Sequence, residues 1–100
     1  MPAFSIKRTA PDRIEAQGAI CFTGATQALN SGLALIGRGE NTTIDLAKVT
    51  EADSAGLAVL VEWLARARKL GTVLHYANIP AQILAVARIS DLDELLTDGH

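Results

Sequence analysis

Few side chains in this chain have the means to do chemistry. Ser54 follows Asp53 at the head of a stretch with helical periodicity, His75 lies between Leu74 and Tyr76, and Cys21 lies between Ile20 and Phe22. A serine becomes a nucleophile when a nearby histidine takes its proton and a third group orients the histidine. Ser54 and His75 supply the first two parts, but no orienting acid is evident, and a histidine inside a strand-like run reads as packed or at a sheet edge. Asp45, at the end of a predicted strand, is expected to bond neighbouring loop backbone. The only cysteine excludes an internal disulfide and leaves a zinc site without thiolate partners. In its apolar run Cys21 reads as a small buried hydrophobe. Asp91, Asp93 and Glu94 form an acidic group, read here as the start of a short helix: Ser90 caps it, and Asp93 stands at capping-box spacing. His100, the final residue, is expected to be mobile. The expectation is therefore a chain with no catalytic residue, no metal site and no cofactor.

The segment 43–57 offers a different chemistry. It reads TIDLAKVTEADSAGL and joins a strand to the head of the best-defined helix. The first N–H groups of a helix lack internal partners, and the helix dipole is positive there, so a carboxylate, hydroxyl or phosphate is stabilised at that end. Asp53 suits the N-cap, a role worth about 1 kcal/mol. Ser54 then stands in the first turn.

The elements that must position this turn follow from periodicity. Residues 4–9 and 13–22 alternate apolar and polar side chains on either side of Ala10-Pro11-Asp12, and predict an antiparallel pair. Ala25, Leu29, Gly32, Leu33 and Ile36 recur at helical spacing, with Gly37 and Gly39 placed to end the helix. Thr42-Thr43-Ile44-Asp45-Leu46 predicts a short central strand. Leu57, Leu60, Val61, Leu64 and Ala65 predict the sheet-facing stripe of a helix ending at Leu70-Gly71, with Arg66, Arg68 and Lys69 beside its last carbonyls. A strand at 72–76, a helix at 81–89 opened by Pro80 and a last short helix complete the order. A strand-helix-strand unit over 42–76 makes parallel neighbours, so the expected fold is α/β, a mixed and mostly parallel sheet with helices packed on it.

One hundred residues, 49% hydrophobic and 20% charged, bound the chain to a single globular domain over 1–100. Its net charge of −2 argues against nucleic acid as a partner. The apolar runs at 33–36 and 57–61 are far shorter than the roughly 20 residues that cross a bilayer, so no direct membrane insertion is expected. The opening residues lack an apolar export core, and a cytoplasmic location is expected.

The strand T-I-D-L, followed after a spacer by D-S-A-G-L at the head of an amphipathic helix, resembles the hallmark of STAS domains, the anti-sigma-factor-antagonist fold. The element order and the G-x-x-L segment from Gly71 to Leu74 fit as well, so the resemblance covers nearly the whole chain. Signalling members carry D-S-S-G-L with the second serine as phosphoacceptor. Ala55 stands there in this chain, and Ser54 matches the adjacent position. The pattern is similar to D-T-G-G-L of MlaB-type members, the small STAS subunits of the Mla phospholipid-transport ABC system. That resemblance implies a non-catalytic subunit that docks on the transporter's ATPase and sits at the inner membrane through it. The alternative it implies is an anti-sigma-factor antagonist in a partner-switching pathway, with an anti-sigma factor kinase as partner and Ser54 as a possible phosphoacceptor.

Stepping 100° per residue places Ala55, Val59, Glu62, Trp63 and Arg66 away from the sheet. With Asp53, Ser54 and Gly56 they make up the expected partner-binding surface. Trp63 reads equally as its aromatic anchor and as an indole folded over the edge of the core to shield it, Ala55, Gly56 and Val59 as a flat approach for another backbone, and Glu62 with Arg66 as an i, i+4 rim pair. On this expectation Ser54→Arg or Trp63→Ala removes binding and leaves the fold intact.

Overall fold

The computed structural model describes residues 3–98; His100 lies outside them. Strands β1 (Ser5–Ala10) and β2 (Arg13–Ile20) form the expected antiparallel hairpin, pairing Ser5 with Gln17 and Arg8 with Ile14. Next come a 3₁₀ turn (Phe22–Gly24), α1 (Ala25–Leu35), β3 (Asn41–Ala52), α2 (Ser54–Lys69), β4 (Val73–Ala77), α3 (Ala81–Ile89) and α4 (Asp93–Asp98). The sheet order is β1-β2-β3-β4, with β2 and β3 parallel and β3 and β4 parallel. The architecture is the mixed, mostly parallel sheet with packed helices that the element order requires.

Strand β3 is twelve residues long where a short one was expected, because 47–52 go on pairing with β2. Two register shifts each give β3 one residue more than β2: Glu15 and Gln17 face Asp45 and Lys48, and Gly18 and Ala19 face Val49 and Glu51. A bulge flips the alternation. Ile44, Leu46 and Val49 are all buried although the last two are three apart, and a period of two read from the sequence misses that.

The core lies between the sheet and the helices. Ile14, Ile20, Ile44, Leu46 and Leu74 project from the strands onto Leu57, Leu60, Trp63 and Leu64 of α2, with Ile83, Ala87 and Leu96 closing it. The alternate strand positions carry ion pairs, Arg13 with Asp45 at 2.8 Å and Lys48 with Glu15 at 3.3 Å. Exposed pairs of this type contribute about 0–1 kcal/mol each, so the apolar face dominates the energetics.

The C-terminal ends of α2 and α3 close by the same device. At α2, Gly71 takes φ 68° and Thr72 N–H donates to Ala67 at 2.8 Å. At α3, Asp91 takes φ 58° and Leu92 N–H donates to Ala87 at 2.8 Å. This corrects the reading of Ser90: it is the C-cap of α3, donating its N–H to Val86 and Ala87, and α4 begins only at Asp93. The acidic residues Asp93 and Glu94 do occupy the first turn of α4.

Candidate partner-binding site

The site is built where β3 ends and α2 begins. Asp53 is the N-cap: its Oδ1 accepts the N–H groups of Ala55 at 2.9 Å and Gly56 at 3.2 Å. Its Oδ2 accepts the N–H of Phe22 at 3.1 Å, so one carboxylate caps α2 and ties the 3₁₀ turn to it. That second bond was not legible in the sequence, where Phe22 reads as the last residue of a strand. The backbone leaves the sheet after Ile20, and the clamp holds the Phe22 ring 82% exposed beside α2.

Ser54 is exposed in the first turn, and Ala55 beside it is half-buried. Gly56 is buried: a Cβ there would lie 2.5 Å from the carbonyl oxygen of Ile20. The expected close approach of a backbone at Gly56 therefore occurs within the chain, and no second molecule reaches it. Val59 is buried too, at 3% exposure.

Trp63 requires the largest correction. It is 0% exposed, its Nε1 donates to the Leu29 carbonyl at 3.0 Å, and its ring lies over Gly32, where a Cβ would come within 2.2 Å of Cε2. Phe4 stands 6.4 Å away, centroid to centroid. The indole staples α1 to α2. The physical reason is that α2 has two apolar neighbours, the sheet and α1. Its buried face runs through Gly56, Leu57, Val59, Leu60, Trp63, Leu64 and Ala67, and Ala65 is exposed. The sequence stripe assumed the sheet alone and is rotated from this face by roughly 80° at 100° per residue.

What remains outward on α2 is Ser54, Ala58, Glu62, Ala65 and Arg66, with Arg68 and Lys69 at its C-terminal end. Glu62 and Arg66 do not form the expected pair: among the described residues the ion pairs are Arg8 with Glu40, Arg13 with Asp45 and Lys48 with Glu15. Two open, mainly apolar grooves flank this ridge. One runs between Phe22, Ala25 and Leu29 on one wall and Ala55 and Val59 on the other. The other runs between Leu57 and Val61 of α2 and Val86 and Leu92 beyond it. Ala58 and Glu62 line both.

The other candidates lie elsewhere. His75 pairs with Thr43 near the start of β3, whereas Ser54 follows its end at Ala52. Nine residues of strand separate those points, roughly 25–30 Å at about 3.3 Å per residue, so the two cannot share a proton. Asp45 Oδ1 accepts from Ala47 N–H at 2.9 Å and Asn78 Nδ2 at 3.0 Å, and its Oδ2 from Arg13 at 2.8 Å. The Asn78 and Ala47 hydrogen bonds, then Arg13, hold its carboxyl below the usual range. Cys21 is half-buried, and burial, followed by the charges of Asp53 and Glu51, pushes its thiol up, the opposite of an activated nucleophile. Tyr76 donates to the Leu60 carbonyl at 2.6 Å, and burial raises its hydroxyl well above the ordinary value. Among the described residues no cluster of three His, Cys, Asp or Glu side chains is placed to hold a metal, and no helix is long and apolar enough to cross a membrane.

A family model described as "Mlab, STAS domain" matches residues 6–97. No curated protein matches the chain in sequence. Among solved structures, similarity extends to a protein from Thermotoga maritima assigned as an anti-sigma factor antagonist, with TM-score 0.73 and 17% identity over 94% of this chain and 83% of that one. The anti-sigma factor antagonist SpoIIAA in its unphosphorylated form superposes with TM-score 0.64 at 12% identity, over 87% of this chain and 83% of its own. A sulfate transporter family protein from Wolinella succinogenes does so with TM-score 0.65 at 20% identity, over 87% of this chain and 71% of its own. At these identities the likeness is one of fold.

Proposed function

This chain belongs to the STAS domain family, and on that premise we propose that it is a protein-binding subunit of an ABC-type phospholipid transporter. It docks through the head of α2 on the transporter's ATPase, which it stabilises or regulates, and is held at the inner membrane by that partner. The observation that carries this reading is Ser54, exposed at the head of α2 between two apolar grooves, with Ala55 standing where signalling relatives carry their phosphoacceptor. Alanine has no hydroxyl, so a phosphate cannot break the contact from that position. The subunit acts by surface complementarity, with Ser54 as a small hydrogen-bonding contact at its centre.

A second reading has an observation of its own. Two of the similar structures are those of anti-sigma factor antagonists, and the Ser54 hydroxyl is accessible to a kinase. In that reading Ser54 is the acceptor in a partner switch. Co-purification of the tagged chain with the ATPase decides in favour of the first reading, and Ser54→Arg abolishes it without lowering the melting temperature. Equal yields from wild type and Ser54→Arg count against it. A stoichiometric phosphate on Ser54 by intact mass after kinase treatment supports the second.

A further inference from the structure

Phe22, at 82% exposure, and Ile89, at 87%, are two of the three large hydrophobic side chains left exposed among the described residues. Phe22 lines the groove on the α1 side of α2, and Ile89 closes α3 next to Ser90, which lines the groove on the other side. A large apolar side chain left exposed in the wall of an open apolar groove marks that groove as an interface, and Phe22 stands so beside α2. Between the grooves the ridge is low at Ala58, which lines both and carries only a methyl group. One turn beyond Ala58 stands Glu62, which lines both grooves and makes no ion pair among the described residues.

We propose that the partner's docking element is a helix that crosses α2 at Ala58, sets one apolar side chain in each groove, and presents a lysine or arginine to Glu62. This rests on the ATPase reading and specifies the partner surface. The grooves lie on opposite sides of one helix, whose diameter with side chains is about 10–12 Å. Two anchors must therefore be about 10 Å apart, the separation of positions i and i+7 at about 1.5 Å per residue. At the crossing point the ridge carries only the Ala58 methyl, with Ser54 and Glu62 one turn away on either side, which permits an interaxial distance near the lower end of the usual ~8–10 Å. Closing a partner over Ala58 also removes water from around Glu62. A carboxylate on such a rim favours a cation opposite it and repels an acid; on its other side Glu62 shares a polar depression with Arg66 and Lys69, so the partner's cation reaches it from the Ala58 side.

The test is affinity for the purified ATPase subunit at low and high salt, with circular dichroism to verify each variant's fold. Ala58→Trp, which raises the ridge, is expected to weaken binding by about 100-fold or more, a hot-spot loss. Glu62→Lys is expected to weaken it by about 30-fold, and Glu62→Gln by about 5-fold with a flattened salt dependence of association. Ala65→Leu, exposed on the same helix outside both grooves, is expected to bind like wild type. Wild type failing to bind the ATPase overturns the ATPase reading and this inference with it. Wild type binding while Glu62→Lys or Ala58→Trp binds equally well overturns the inference and leaves the reading standing. Glu62→Gln matching wild type at both salts overturns the ion pair, and self-association abolished by Ala58→Trp assigns the face to a second copy, which also overturns it.

Discussion

Trp63→Ala tests the packing of α1 against α2, and the structure reverses what the helical wheel implied for this residue. The side chain is fully buried, and removing a buried Trp costs about 3–5 kcal/mol in lost transfer free energy and residual cavity. The opposing wall is Gly32, with no side chain to relax into the space, which places the loss in the upper part of that range. A domain of this size holds about 5–15 kcal/mol in all. At about 4–8 °C per kcal/mol, the melting temperature drops by at least about 12 °C. Thermal and urea unfolding followed by circular dichroism measure this directly. Trp63 is the only tryptophan, so its wild-type emission and acrylamide quenching also report its burial. A second substitution sharpens the test. In the wild-type background Gly32→Ala drives a Cβ into the indole and destabilises by about 1–3 kcal/mol. In the Trp63→Ala background the same change has room and gains up to about 1 kcal/mol from helix propensity. A melting temperature that moves less than about 4 °C in Trp63→Ala, an indole freely quenched in the folded protein, or a Gly32→Ala effect of the same sign in both backgrounds would refute this packing.

The cap and the acid limb give two further expectations. Asp53→Ala removes the α2 cap and the acceptor for Phe22 N–H together, and is expected to cost about 1–2 kcal/mol in urea unfolding, while Asp53→Asn retains most of the cap. An equal loss in Asn and Ala would show that the charge, and not the cap geometry, is what matters. Asp45 has its folded-state pKa lowered by Asn78, Ala47 and Arg13, so the unfolded chain binds the more protons in the window between the two values. Its contribution is present above the unfolded value of about 3.9 and is lost as pH falls through the lower folded one. Stability against pH in Asp45→Asn is expected to fall less steeply below about pH 4 than in wild type, and superimposable acid limbs would contradict it.

Much of the frame was legible because it is local. Pro11-Asp12 between two alternating runs specifies the hairpin, and Pro80 followed by an apolar period specifies α3 at residues 81–89, where it is found. Asp53 ahead of the α2 period specifies the cap, and Gly71 the helix stop. Each of these signals lies within a few residues of the feature it sets. The Phe22 half of the site was hidden for the opposite reason: its acceptor is thirty-one residues away. An aromatic that continues an alternating run carries no mark that the strand has ended.

The chain's own sequence thus determined which residues cap, turn and alternate, since backbone dihedrals and nearest-neighbour hydrogen bonds answer to local side chains. Tertiary structure alone decided which way α2 faces. A helix buries the sides on which it has neighbours, and only the folded chain puts α1 and Gly32 against Trp63. That contact takes the aromatic into the core and leaves Ala58 and Glu62 outward between two grooves.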